Sequence, residues 1–259
     1  MKIVEARNCE VCYHRKHPVI KDLSFDLEKG DFLSILGVNG VGKTTLIKTL
    51  IGFLELKTGS ITLNGEPIKQ GKKMSRTISY VPQKKKVPYG YLVIDMVCLG
   101  RAHENKWFRI GKKDREVAYN VLKNLDIEHL AGKKCNELSG GQLGMVYIAR
   151  ALAREPKLLI LDEPEANLDF RNQVKLIKIL RKVNTEFETT CILNTHSLES
   201  AQYLSNKILL LGKNGYKFGR KNEMLTEKNI YDYFNVKTKI VESQVDSVSY
   251  KSFVLLPGC

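Results

Sequence analysis

Gly37-Val38-Asn39-Gly40-Val41-Gly42-Lys43-Thr44 fits the pattern G-x-x-x-x-G-K-[ST]. Its glycines let the backbone curl until successive N–H groups point at phosphate oxygens. A helix opening at its end adds a partial positive charge. Lys43 reaches β- and γ-phosphates, and the Thr44 hydroxyl is a donor for Mg²⁺. Gly37, Asn39, Gly40, Val41, Gly42, Lys43, Thr44 and the following Thr45 are therefore candidate contacts to a nucleotide.

Two acids close an apolar run, Leu158-Leu159-Ile160-Leu161-Asp162-Glu163. An acid at the end of a buried strand is costly unless it serves a cation, which makes Asp162 a candidate for the Mg²⁺ shell. Glu163 can polarise water for attack on a γ-phosphate. Alone, the pair reads equally as solvated acids where a strand surfaces; the phosphate loop favours the chemical reading. Ser139-Gly140-Gly141-Gln142 at a helix start forms a second anion site, with exposed N–H groups and a small hydroxyl. Two phosphate sites in one chain suggest that the second serves the nucleotide of another copy.

The elements that must carry these residues follow from local pattern. Phe32–Leu36 is a buried strand leading into the glycine loop, and Leu46, Ile47, Leu50 and Ile51 give the next segment a helical period that Gly52 can stop. Ile61–Leu63 is a strand closed by the Asn64-Gly65 turn. Residues 92–100, 113–125 and 141–154 are helix-like with few strand patterns between them. Leu158–Leu161 and Thr190–Asn194 are buried strands. The spacing predicts an amphipathic helix over Gln173–Val183 with Val174, Ile177 and Leu180 on one face. Ser197 can cap the helix after it. Residues 208–218 form a hairpin, and from Thr226 a short helix and a strand-like tail follow.

The chain has 259 residues, 43% hydrophobic and 27% charged, a composition that argues against disorder. Its apolar runs span only a handful of residues, whereas a spanning helix needs about 20. The opening residues lack the apolar stretch of a secretory signal. Forty-two Lys and Arg against 28 Asp and Glu give +14, which suits an anionic partner or a solvated basic surface. One short basic run is Lys84-Lys85-Lys86. Of six cysteines only Cys9 and Cys12 are close, and no second pair or histidine spacing completes a zinc site. They read as reduced structural thiols of a cytosolic protein, with a redox role for Cys9 and Cys12 as the minor reading.

In this order the phosphate loop, the Ser139 signature, Leu158 to Pro164 and the later His196 resemble the nucleotide-binding subunit of an ABC transporter. The resemblance implies an α/β fold: a P-loop NTPase core, RecA-like, with a mixed sheet and flanking helices. To it belong an N-terminal antiparallel β part and an inserted α-helical subdomain. The implied organisation is an ATPase domain over 1–225, with 1–83 and 155–225 as catalytic core and 84–154 as signature subdomain. A small C-terminal extension over 226–259 follows.

The resemblance also implies roles. Tyr13 matches the aromatic that stacks on adenine. Gln83 matches the glutamine that touches Mg²⁺ and water and senses the permease. Asp169 matches the aspartate that crosses a dimer interface, and His196 the histidine that holds the γ-phosphate and Glu163. ATP would lie between the phosphate loop of one copy and Ser139, Gly140, Gly141 and Gln142 of a second, in a head-to-tail dimer. The expected cofactors are ATP and Mg²⁺. The expected partners are a second copy, integral-membrane permease subunits and a separate substrate-binding protein, with no nucleic acid. The expected place is the cytoplasmic face of the cell membrane.

Leu143-Gly144 stands where the family has polar residues, Glu165 replaces a threonine, and Val38 and Val41 replace Pro and Ala; none removes a catalytic group. Val97-Cys98-Leu99-Gly100-Arg101, Trp107-Phe108 and Asp114 look like importers for iron chelates, haem and cobalamin. Molybdate, zinc and manganese importers belong to the same group. Tyr89, Tyr91, Leu92, Met96, Leu99, Trp107 and Phe108 fall in the span that would face a permease. The other readings are an exporter subunit and a soluble ABC ATPase acting on nucleic acid. The second is disfavoured by a single phosphate loop and the lack of heptads.

Overall fold

A computed structural model describes residues 1–12, 18–68, 77–83, 89–102, 110–166, 168–213, 215–245 and 248–256. Tyr13, the Lys84–Lys86 run, Trp107, Phe108 and Cys259 lie outside the described residues. The chain forms two compact units, one of Met1–Met74 with Thr190–Cys259, the other Ser75–Thr189.

The first unit opens with β1 (Lys2–Cys12), β2 (Pro18–Glu28), β3 (Phe32–Gly37), α1 (Lys43–Leu50), β4 (Leu56–Leu63) and β5 (Glu66–Pro67). The second holds β6 (Ile78–Val81), α2 (Val93–Cys98), α3 (Lys112–Asn124), α4 (Gly140–Leu152), β7 (Leu158–Asp162) and α5 (Phe170–Glu186). The first is completed by β8 (Thr190–Asn194), α6 (Leu198–Leu204), β9 (Lys207–Gly212), β10 (Gly215–Arg220), α7 (Lys221–Met224), α8 (Glu227–Phe234), β11 (Thr238–Val245) and β12 (Val248–Leu255).

In the first unit β2-β1-β4-β5 form an antiparallel sheet, and Asn64 (φ 52°) and Gly65 (φ 80°) make the turn into β5. This is the left-handed pair that a tight hairpin requires. β3 runs parallel to both β8 and β9, and β10 returns antiparallel to β9. All six residues of β3 and all five of β8 are buried, as strands covered on both faces must be. The C-terminal hairpin shares this unit's core: Phe253 joins Leu36, Ala201, Ile208, Leu210, Leu225 and Ile230, with Ile240 against them. Thr226 caps α8 by accepting from the Asn229 N–H at 3.2 Å. The buried Asn229 amide donates to the Met224 carbonyl at 2.9 Å and accepts from Lys217 Nζ at 2.8 Å. The polar group is thus satisfied where it is hidden from water.

In the second unit β6 and β7 pair in parallel. Arg101, just after α2, is buried. It donates to the Ala153 carbonyl at the end of α4 at 3.1 Å and lies 3.6 Å from the Asp114 carboxylate on α3. One guanidinium thereby ties three helical segments together. α4 runs unbroken through Gly144. α5 begins three residues before the expected start and ends three after the expected end. Its buried stripe is Leu176, Ile179, Leu180 and Val183, while Val174 is exposed. The expected face through Val174 and Ile177 is therefore corrected: the i, i+3, i+4, i+7 set one step on carries the larger apolar surface. Cys9, Cys12, Cys98, Cys135 and Cys191 are buried free thiols. Among the described residues no helix is long and apolar enough to cross a membrane.

Candidate functional site

The phosphate loop joins β3 to α1 in the first unit. Gly37 pairs with Leu211, and a Cβ there would run into the Leu211 carbonyl, so β3 can turn off the sheet only with glycine at this point. Gly42, at φ 111°, occupies the N-cap of α1, and no side chain caps that helix. The N-cap thus places no side-chain oxygen over the first turn of α1, the end that favours an anion. Lys43 is buried, and its ammonium donates to the carbonyls of Gly37 at 2.7 Å and Val38 at 3.1 Å. The cation is folded over its own loop, where a phosphate would lie. Val41 is buried and fastens the loop; Asn39, Gly40 and Thr44 are exposed, and Thr45 is half-buried. His196 is exposed in the turn after β8, where the Ser197 N–H donates to the Thr195 hydroxyl at 2.9 Å. Ser197 caps α6, as expected.

The acids belong to the second unit. β7 delivers Asp162 in a buried position, 3% exposed. The Tyr80 hydroxyl on β6 donates to its Oδ2 at 3.1 Å. Burial first, then the Asp162 charge, pushes the Tyr80 phenol up from its ordinary pKa, so it stays protonated and donates. Glu163 follows at φ 46°, a left-handed conformation unusual for a side chain of its size. Gln83, just past β6, donates its amide N–H to Glu163 Oε2. The structure thus brings Gln83 and Glu163 together.

The signature opens α4. Ser139 is its N-cap, accepting from the Gln142 N–H at 3.3 Å, while the Gln142 side chain accepts from the Ser139 N–H at 3.1 Å. This reciprocal pair holds the start of α4 in shape. Asp169 caps α5, accepting from the Asn172 backbone at 2.8 Å and from the Asn172 side-chain amide at 2.9 Å. A Cβ on Gly141 would stand 3.0 Å from that same amide nitrogen, so signature and aspartate meet through Asn172. Sequence reading missed Tyr80 and Asn172. The signal for Tyr80 was a phenol on the short strand preceding Gln83; Asn172 stands at the third helical position after a capping aspartate.

The ABC transporter family profile matches residues 20–166, more than half of the chain. The molybdate import ATP-binding protein MolC of Haemophilus influenzae is 34% identical over 98% of this chain and 97% of that protein. The chelated iron transport system membrane protein YfeB of Yersinia pestis is 32% identical over 86% of this chain and 76% of its own length. A metal-chelate type ABC transporter solved in an inward-facing conformation superposes with TM-score 0.89 at 33% identity, over 99% of this chain and 98% of the other. The likeness runs through both units and the C-terminal hairpin. This chain belongs to the ABC transporter family as one of its ATP-binding, ATP-hydrolysing subunits.

Proposed function

We propose that this chain powers a membrane importer for a metal-related cargo, with the residues above as its ATPase machinery. The observation that carries the reading is Glu163 held by Gln83 beside Asp162, at the end of β7. In this role the phosphate loop and Lys43 bind the phosphates of ATP. Glu163 accepts a proton from water as the water oxygen bonds to the γ-phosphorus, and the bond to the ADP oxygen breaks. The products are ADP and phosphate. Gln83 and His196 orient that water and the γ-phosphate. Tyr13 stacks on adenine.

Thr44, Gln83 and Asp162 fit Mg²⁺, because all three offer the oxygen donors that this cation prefers, and Asp162 is buried with one oxygen fixed by Tyr80. The Gln83 amide nitrogen is used by Glu163; its oxygen is the donor that this reading assigns to Mg²⁺. When bound, Mg²⁺ neutralises charge on the β- and γ-phosphates.

Ser139, Gly140, Gly141 and Gln142 serve the ATP of a second copy, with Asp169 crossing that interface, so hydrolysis couples to opening and closing of a dimer. In this arrangement 1–83 and 155–225 form the catalytic core, 84–154 the signature subdomain and 226–259 an extension. Among the described residues of the set named for the permease, Tyr89 and Tyr91 are exposed while Met96 is core, so these two aromatics are available for a permease to cover. The subunit would sit peripherally on the cytoplasmic face, with a separate substrate-binding protein delivering cargo. Similarity to the chelated iron transport protein of Yersinia pestis and to the metal-chelate type transporter supports a metal chelate, iron among them, as cargo. Molybdate is the second reading, favoured by the nearly full-length match to the molybdate protein.

The test is capture of tagged Glu163→Gln chain from detergent-solubilised native membranes with ATP and Mg²⁺. A many-helix permease at near-equal stoichiometry is expected, and its binding protein can then be assayed for iron chelate or molybdate. Recovery of ribosomes or DNA-repair proteins instead would contradict the importer reading.

A further inference from the structure

We propose that Tyr80 is a positioning residue for the ATPase reaction: its phenol fixes the carboxylate of Asp162 in the orientation that Mg²⁺–ATP requires. This rests on the assignment of Asp162 to the Mg²⁺ shell.

The placement follows from the pairing of β6 with β7. Tyr80 is in register with Ile160, so its side chain shares a face with Ile160 and, two residues on, with Asp162. Two residues along a strand span about 6.6 Å, a distance that a phenol covers and a Val or Ile side chain does not. The hydroxyl arrives 3.1 Å from Asp162 Oδ2. Strand propensity and packing alone would be met at this position by a β-branched apolar residue. A half-buried hydroxyl adds a desolvation cost unless it is bonded, and here its partner is the functional carboxylate. Fixing one oxygen fixes the plane of the carboxylate, and with it the direction of its remaining lone pairs. Carboxylates that serve a metal are ordinarily oriented by such a hydrogen bond, and losing it costs about 10- to 100-fold in metal affinity or activity. Gln83 stands three residues beyond Tyr80 and bonds Glu163. The strand β6 and its exit therefore set both acids at the end of β7, one through a phenol and one through an amide.

The test measures how much Mg²⁺ tightens binding of a fluorescent, non-hydrolysable ATP analogue to the full chain. Affinities with and without Mg²⁺ are compared in four proteins: unaltered, Tyr80→Phe, Asp162→Asn and the double variant. Tyr80→Phe retains the ring, and thermal unfolding checks that the fold is kept. The expected result is that Tyr80→Phe leaves Mg²⁺-free affinity unchanged and reduces the Mg²⁺-linked gain about 10-fold. Asp162→Asn should abolish that gain, and the double variant should match Asp162→Asn. In steady-state hydrolysis with Mg²⁺, Tyr80→Phe should raise KM for ATP in step with that weaker binding. An unchanged Mg²⁺-linked gain in Tyr80→Phe, with the gain lost in Asp162→Asn, overturns the proposal alone. So does a fall in Mg²⁺-free affinity when Tyr80→Phe is added to Asp162→Asn. A full gain in Asp162→Asn, or none in the unaltered chain, overturns both the proposal and the Mg²⁺ assignment beneath it.

Discussion

Gly141→Ala sets two opposing effects against each other at the start of the signature helix. Alanine is the better helix former by up to about 1 kcal/mol. The added methyl, however, would stand 3.0 Å from Asn172 Nδ2, 3.2 Å from its Cγ and 3.3 Å from Leu168 Cδ2. Asn172 cannot swing away freely, because its amide is held by the Asp169 carboxylate at 2.9 Å. Overpacking of this kind costs about 1–3 kcal/mol, at the lower end here because the obstacle is mainly a side chain. The two effects should nearly cancel, leaving the unfolding midpoint within about 3 °C of the parent, given 2–4 °C per kcal/mol at this size. Activity should not be spared, since room for the methyl comes at the expense of the Asn172–Asp169 bond. We expect ATPase activity to fall about tenfold, or ~1.4 kcal/mol of barrier. In an Asn172→Ala background the obstacle is gone, and Gly141→Ala should stabilise by up to about 1 kcal/mol. The coupling energy from the four proteins should then be about 1 kcal/mol, well above the additivity error of distant sites. Equal stabilisation in both backgrounds, with activity intact, would refute the reasoning.

Two further outcomes follow from the packing. Arg101→Ala removes the guanidinium that pairs with buried Asp114 and holds the Ala153 carbonyl. It should destabilise by about 3 kcal/mol, read by urea unfolding, with Arg101→Lys milder; a change under ~0.5 kcal/mol would contradict the staple. Glu227 accepts from the Ile240 N–H at 3.0 Å and pairs with Lys239 at 3.4 Å, and the backbone bond chiefly holds its carboxyl below the usual range. A depressed folded pKa means the contribution is present above the unfolded value of about 4.3 and is lost as pH falls through the folded value. Amide exchange at Ile240, corrected for its intrinsic pH dependence, should lose protection across that window and hold steady from pH 5 to 7.

Short-range patterns were legible in the sequence because their physics is local. The phosphate loop, the start of α1 at Lys43, the strand ending at Asp162, the Asn64-Gly65 turn, the helix start after Ser139 and the cap at Ser197 depend on neighbours within a few residues. What escaped depends on pairing across distance. Tyr80 reaches Asp162 only because β6 lies in register with β7, 82 residues on. Arg101 meets Ala153 across 52 residues. The α5 face was misjudged because Val174 and Ile177 fit a helical period as well as the true stripe; only the surface the helix packs on distinguishes them. Asp169 drew notice for an expected interface role, and in the structure its carboxylate caps α5.

The account turns on Glu163 as the group that takes water's proton. The most direct measurement is single-turnover hydrolysis of radiolabelled ATP by purified Glu163→Gln protein, beside size-exclusion chromatography with ATP and Mg²⁺. Retained ATP binding, an ATP-dependent dimer and hydrolysis slowed at least 100-fold, the scale for losing a general base, are the expected results. Hydrolysis by Glu163→Gln at a rate close to that of the unaltered chain would contradict the claim.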